Sequence, residues 1–182
     1  MKILVISSNL IGDSILSTGV IENFAKIYPK SKFTFVIGPS AGQIYEHFPL
    51  KDKIILIKKK KYNVHWFNMY FQIFRTKWEI IIDLRSSLIS YFLFNNKKYI
   101  FKKNKSLNHL DQLKEVFKLK SNELYINTAQ KEELEVKQNL KPNYRYIVIF
   151  PGGNWRPKIW PSENYNKLVS TLNKKYLNLK FL

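Results

Sequence analysis

Two places in this 182-residue chain carry residue types at spacings suited to chemistry. The first is Gly12-Asp13, which follows an apolar run at residues 2–7 (KILVIS) and a short loop, and precedes a helical pattern. A carboxylate there stands at the carboxyl edge of a parallel sheet, where open α/β sheets bind their ligands. Within hydrogen-bond reach of a hydroxyl it can accept a proton. Gly12 would let the backbone turn tightly before it. Asp is also a favoured helix N-cap residue, and the position by itself reads first as a cap. The second place is residues 146–150 (YIVIF) running into Pro151-Gly152-Gly153-Asn154-Trp155 and then Lys158-Ile159-Trp160-Pro161. A strand that ends in a glycine turn before a helix turns backbone N–H groups toward an anion, and Lys158 adds a point charge for a phosphate. Taken singly, the glycines also read as a plain turn and the lysine as one of many on the surface. The first site lacks a GxGxxG pattern, so an ordinary dinucleotide fingerprint is absent. His47 and His65 have no metal-ligand companions in sequence and read as structural.

The elements that must position these residues alternate. Residues 2–7 read as a buried parallel strand. A helical pattern runs from Asp13 to Ile27, with Ile15, Leu16, Val20 and Phe24 on one side and Pro29 just past its end. Residues 32–37 (KFTFVI) form a second strand closed by Gly38-Pro39, residues 41–48 a short helix, and residues 53–57 a third strand. An aromatic-rich helix over 62–77, a strand over 79–84 (EIIIDL), a short helix over 87–94 and a strand over 97–101 follow. Then come a helix over 107–119, a short edge strand at 124–127 and a charged helix over 130–140. Strands alternating with helices at this spacing predict right-handed crossovers and a parallel sheet. The composition changes at Lys141-Pro142-Asn143, a candidate linker. Beyond it lie the 146–150 strand, a helix over 162–176 and an apolar run at 178–182 that opens another strand.

Composition narrows the function classes. Hydrophobic residues make up 45% of the chain and aromatics 15%, so the core or a binding surface must be rich in rings. The chain has no cysteine, which excludes disulfides and thiolate metal sites. The formal net charge is +18, nearly all of it from lysine. That bias has two readings: the codon usage of an AT-rich genome, or a field that attracts phosphate, nucleic acid or anionic lipid. No recognised nucleic-acid motif accompanies the charge, so no nucleic-acid partner is expected. No secretory signal and no run approaching the ~20 apolar residues of a membrane span is present. The expected location is the cytoplasm, with peripheral contact at the inner face of an anionic membrane. The aromatic helix over 62–77, with Trp66, Phe67, Tyr70, Phe71 and Phe74, reads equally as such a contact or as a core helix.

In order along the chain, these segments resemble glycosyltransferase family 9, the ADP-heptose:lipopolysaccharide heptosyltransferases of bacteria. MKILVI followed by NLIGDSILSTGVIENFAKIYP is similar to the family's amino-terminal signature: a strand, a small loop, Gly-Asp, and a helix ending near Tyr-Pro. FTFVIGPSAGQIYEHFPLKDKII looks like its second strand, helix and third strand. EIIIDLRSSLISYFL resembles its fourth strand and acceptor-side loop, and NHLDQLKEVFKL its H-x-x-D helix. IVIFPGGNWRPKIWPSENYNKLVSTL looks like the opening of its second domain. The resemblance implies a GT-B architecture of two facing Rossmann-like domains. The first binds the acceptor and the second most of the nucleotide-sugar. Transfer is inverting and metal-independent, and no cofactor is implied. The family's general base maps onto Asp13, and its donor-phosphate lysine onto Lys158. Gly12, Gly152, Gly153 and Asn154 map onto donor-side turns, and Arg85 and Ser86 onto acceptor contacts. Arg85 stands where a glutamine is common, and it also reads as a partner for Asp83 or a sheet-edge residue. His109 and Asp111 read as orienting a loop or capping a helix.

The expected organisation is an acceptor-side Rossmann-like domain over 1–140, then a linker and incomplete start of a donor-binding domain over 141–182. The run at 178–182 would be left as an unpaired strand. The expected function is transfer of a heptose or related sugar from a nucleotide-sugar, ADP-heptose above all, to a lipid-linked saccharide of the lipopolysaccharide core, by this chain or by an enzyme of which it is a fragment. The alternative is a non-catalytic basic module that binds anionic glycolipid or nucleic acid.

Overall fold

A computed structural model describes residues 1–58, 64–104, 106–121, 123–153 and 155–182. The chain divides into two compact units, Met1–Thr128 and Ala129–Leu182. The charged helix that sequence reading groups with the first domain clusters with the second unit.

The first unit is built on five parallel strands: β1 Lys2–Ile6, β2 Lys32–Ile37, β3 Lys51–Leu56, β4 Trp78–Asp83 and β5 Asn95–Ile100. Their order across the sheet is β3-β2-β1-β4-β5. The chain therefore winds outward from β1 on one side, then returns to start β4 on the other, and the switch point lies between β1 and β4. The helices are α1 Ile11–Leu16, α2 Thr18–Ile27, α3 Pro39–Gly42, α4 Val64–Ile73 and α5 His109–Phe117. They cover both sheet faces, which is why the central strands β1, β2 and β4 read as apolar runs, while the edge strands β3 and β5 are more polar. Alternate residues of β1 go to opposite sides. Ile3 and Val5 join Phe33, Phe35, Ile80 and Ile82 under α2 and α5. Leu4 and Ile6 join Val36, Ile55 and Ile81 under Met69 and Ile73 of α4. Part of the aromatic content is absorbed here: Phe35 stacks on Tyr45 at 4.4 Å between centroids, and Phe48 meets Phe33 edge-on at 5.2 Å.

Several elements depart from the sequence reading for local reasons. The first helix is broken at Ser17, whose hydroxyl donates to the Asp13 carbonyl at 2.7 Å while Thr18 Oγ1 donates to the Ile15 carbonyl at 2.7 Å. Such back-bonding bends helices. The expected helix over 41–48 is a turn of α-helix followed by a 3₁₀ turn at Gln43–Tyr45. The aromatic helix ends at Ile73 rather than 77, where the Trp78 indole N–H donates to the Ile73 carbonyl at 3.0 Å and satisfies an open end. Its expected first residues, 62 and 63, lie outside the described residues, as does most of the lysine run at 58–61. The helix expected over 87–94 is a 3₁₀ turn, Leu88–Phe92. No strand forms at 124–127: this segment docks on α2 instead, with the Tyr125 N–H donating to Thr18 Oγ1 at 3.0 Å.

The second unit holds α6 Gln130–Asn139, β6 Arg145–Ile147, α7 Ser162–Lys175 and β7 Leu179–Phe181. β6 and β7 pair in parallel, and the ladder continues as the Ile149 N–H donates to the Leu182 carbonyl at 2.9 Å. The run at 178–182 is thus paired, contrary to the expectation of a lone strand. A parallel partner was already available once α7 supplied the crossover.

Candidate active site

The carboxyl ends of β1, β4 and β5 open on a pocket of about 340 Å³, whose polar lining is Ser8, Asp13, Ser17, Arg85, Ser86, Lys103 and His109. It sits beside the topological switch point, where open α/β sheets place their ligands. Asp13 comes from the β1 side, Arg85 and Ser86 from the loop after β4, and Lys103 and His109 from the segment after β5.

Asp13 is not the cap that its position suggested. It is the third residue of α1, whose N-cap is Leu10 and has no side-chain cap bond. Its half-buried carboxylate instead accepts from the Ser8 hydroxyl at 3.0 Å, and Ser8 Oγ accepts from the Leu10 N–H at 3.1 Å. A relay from backbone to hydroxyl to carboxylate thereby fixes one carboxylate oxygen, in the first turn of a helix where negative charge is favoured.

Gly12 makes no tight turn. It is the second residue of α1, and no glycine in the described chain has positive φ. The six glycines divide by what a Cβ would meet. At Gly19 it would lie 2.5 Å from the Glu123 carbonyl oxygen, at Gly38 2.7 Å from Asn9 Cα, and at Gly42 2.8 Å from the Leu56 side chain. At Gly12 and Gly152 it would meet nothing within 4 Å, and at Gly153 only Ile159 at 3.5 Å. The chain's own packing explains the first three, while the open three are those singled out in sequence as ligand turns.

The loop after β4 is organised from below by Asp83. This buried carboxylate accepts the Arg85 N–H at 2.9 Å and the Ser87 N–H at 2.7 Å. Burial pushes its carboxyl above the ordinary value, against the backbone N–H of Arg85, the Ser90 hydroxyl and the Ser87 N–H, which hold it down. The expected Asp83–Arg85 partnership therefore runs through the Arg85 backbone. The Arg85 guanidinium instead reaches Asn9 Oδ1 at 3.3 Å and lies over the Trp66 ring at 5.0 Å. Burial lowers its pKa and the nearby Asp83 charge opposes that. Ser86 has φ 57°, and its hydroxyl donates to the Phe101 carbonyl, tying β4 to β5. His109 opens α5 behind the cap residue Asn108, whose side chain accepts the Asp111 N–H at 3.0 Å. Its ring meets Phe101 edge-on at 5.2 Å.

The second sequence site is only partly assembled. Asn154 lies outside the described residues. Gly152, Gly153 and Lys158 are exposed, with Lys158 in a 3₁₀ turn, Arg156–Lys158, and its ammonium 5.7 Å from the Trp155 ring centroid. The adjacent depression, about 710 Å³, takes its cation from Arg156 and its walls from Ile149, Pro151, Ile159, Trp160 and Tyr165; Lys158 and the glycines do not line it. Sequence reasoning thus missed Arg156, and at the first site Ser8 and Lys103. Ser8 had a signal, a hydroxyl between the strand and Gly-Asp. Lys103 had none among so many lysines.

No family model matches this chain, and no curated protein matches it in sequence. Solved structures do match in fold. A glycosyltransferase of family 9 from Veillonella parvula superposes with a TM-score of 0.74 at 20% identity, over 99% of this chain and 61% of that one. The E. coli heptosyltransferase WaaC with ADP gives 0.70 at 16% identity, over 100% of this chain and 67% of that one. The E. coli ADP-heptose lps heptosyltransferase II gives 0.66 at 15%, over 100% and 63%. The chain thus has an α/β, Rossmann-like fold of the GT-B glycosyltransferase type. More particularly, its fold is that of the family 9 enzymes, and it spans 61% of the length of the Veillonella protein.

Proposed function

We propose that this chain is the acceptor-binding side, with the opening of the donor side, of an inverting glycosyltransferase. It would transfer a heptose or related sugar from ADP-heptose to a lipid-linked saccharide of the lipopolysaccharide core. The observation that carries this reading is the pocket at the switch point. There a half-buried carboxylate, held by Ser8, shares about 340 Å³ with Arg85, Lys103 and His109, in a chain with the family 9 fold.

The chemistry follows from those groups. Asp13 takes the proton of the acceptor hydroxyl as that oxygen attacks the anomeric carbon. The new C–O bond forms as the bond to the diphosphate breaks, so the anomeric centre inverts and ADP leaves. Lys158 or Arg156 offsets the charge that collects on the leaving diphosphate, with no metal or cofactor taking part. Arg85 and Lys103 favour an acceptor that carries negative charge beside its reacting hydroxyl.

The test is transfer from ADP-heptose to heptose-free lipopolysaccharide, read by mass. Addition of one heptose is the expected result, and a saccharide left unmodified with every nucleotide-sugar offered contradicts the reading. On the donor side, Lys158→Ala is expected to weaken ADP-heptose binding about tenfold by calorimetry, and an unchanged affinity would leave Lys158 a surface residue.

A further inference from the structure

Within the first unit, exposed aromatic and aliphatic side chains gather on two neighbouring elements. On α4, Phe67 and Phe71 are each 65% exposed, and on the 3₁₀ turn after β4, Leu88 is 77% and Phe92 71% exposed. The two elements are joined, since the Tyr70 hydroxyl donates to the Phe92 carbonyl at 3.3 Å. Between them lies an apolar groove of about 380 Å³ lined by Trp66, Phe67, Tyr70, Ile89 and Phe92. A contiguous exposed apolar patch marks an interaction surface, and this one has a distinct charge signature. Residues 64–78 and 84–98 contain Arg75, Lys77, Arg85, Lys97 and Lys98 and no Asp or Glu. Three of these cations lie over rings of the patch or its border: Arg75 over Phe74 at 5.4 Å, Arg85 over Trp66 at 5.0 Å, and Lys98 over Tyr91 at 4.7 Å.

We propose that α4 and the 3₁₀ turn at Leu88–Phe92 form a docking surface for an anionic lipid bilayer. A protein partner would meet apolar rings with an apolar face and would need carboxylates arranged against each cation. A bilayer interface supplies both requirements without such matching. Amphipathic rings settle at headgroup level, and cations beside them hold anionic headgroups. Arg85 belongs to both the patch and the Asp13 pocket, so a docked chain presents that pocket next to the membrane surface. The proposal rests on exposure and charge and not on transfer chemistry, so it can fail or stand separately from the proposed activity.

The probes are vesicles of phosphatidylcholine alone and of phosphatidylcholine with an equal share of phosphatidylglycerol, at physiological ionic strength. The whole chain is expected to partition at least about tenfold more strongly onto the anionic vesicles. The combined variant Phe67→Ser, Phe71→Ser, Phe92→Ser, whose net charge is unchanged, is expected to lose about tenfold or more of that binding. Removing three charges elsewhere, with Lys137→Gln, Lys141→Gln and Lys174→Gln, is expected to cost less than about twofold. Equal binding by the aromatic variant would overturn the proposal in favour of diffuse charge, and so would indifference of the native chain to both vesicles. A native dimer that the aromatic substitutions convert to monomer would overturn it in favour of a second copy. Because the chain has no cysteine, Phe71→Cys offers a single labelling site that leaves the rest of the patch in place. An environment-sensitive dye there should shift to the blue on anionic vesicles, whereas at Lys174→Cys it should not. An unshifted dye at residue 71 on bound vesicles would also overturn the proposal.

Discussion

The two units follow the same plan, parallel strands joined by helical crossovers, yet they differ in what the plan encloses. In the first, the three central strands pack between helix layers, and Ile3, Leu4, Val5 and Ile6 have no exposed surface. In the second, a two-stranded sheet meets α7, and none of its described residues is buried. The sites follow suit. Asp13 is held by a neighbouring hydroxyl in a pocket with several walls, and Asp83 fixes the loop across from it. Lys158 is exposed on a turn against one tryptophan ring. A side chain is placed as firmly as the layer beneath it, so the pocket around Asp13 is built more completely than the depression beside Lys158.

This contrast is most exposed by dividing the chain. Residues 1–128 are expected to unfold in one cooperative transition, and residues 129–182 in none, because a two-stranded sheet with two exposed helices buries too little to offset its ordering entropy. Thermal denaturation followed by circular dichroism decides this, and a sharp transition in the shorter piece would break the comparison. Single substitutions should scale in the same way. Phe35→Ala should cost about 3–5 kcal/mol in denaturant unfolding, and Phe150→Ala, at a residue 84% exposed, less than about 0.5 kcal/mol.

Asp83→Ala is expected to cost about 1–3 kcal/mol by leaving the Arg85 and Ser87 N–H groups unpaired. The pH dependence has a definite sign. Burial raises the carboxyl above its unfolded value, so the fold prefers the protonated form. That contribution is complete below the unfolded pKa and is lost as pH rises through the folded one. The Ala variant should lack this slope. The smallest effect sharpens the contrast among glycines. Gly19→Ala should destabilise by about 1–3 kcal/mol against the Glu123 carbonyl, whereas Gly12→Ala, with open space around it, should be neutral or stabilise by up to about 1 kcal/mol.

Much of the scaffold was legible because periodicity reports burial. KILVIS, KFTFVI and EIIIDL announce strands covered on both faces, and the helix over 109–117 announces itself by Leu113 and Phe117. Hydrogen-bond choices made locally were not legible. Ser17 and Thr18 break a helix by bonding back to carbonyls, and Tyr125 docks on Thr18 instead of joining the sheet. Asp13 shows both sides. Its place after a strand marked the carboxyl edge of the sheet, where the pocket lies, but position could not tell a cap from a pocket carboxylate. That depended on Ser8, five residues upstream, offering its hydroxyl.

In the proposed reaction Asp13 serves the chemistry rather than the helix. The direct measurement is sugar transfer and donor affinity for Asp13→Asn side by side. Transfer is expected to fall about 10²–10⁴-fold with ADP-heptose affinity and thermal stability unchanged. Transfer within about threefold of the native rate, or a loss matched by a fall in stability typical of a removed helix cap, about 1 kcal/mol, would contradict it.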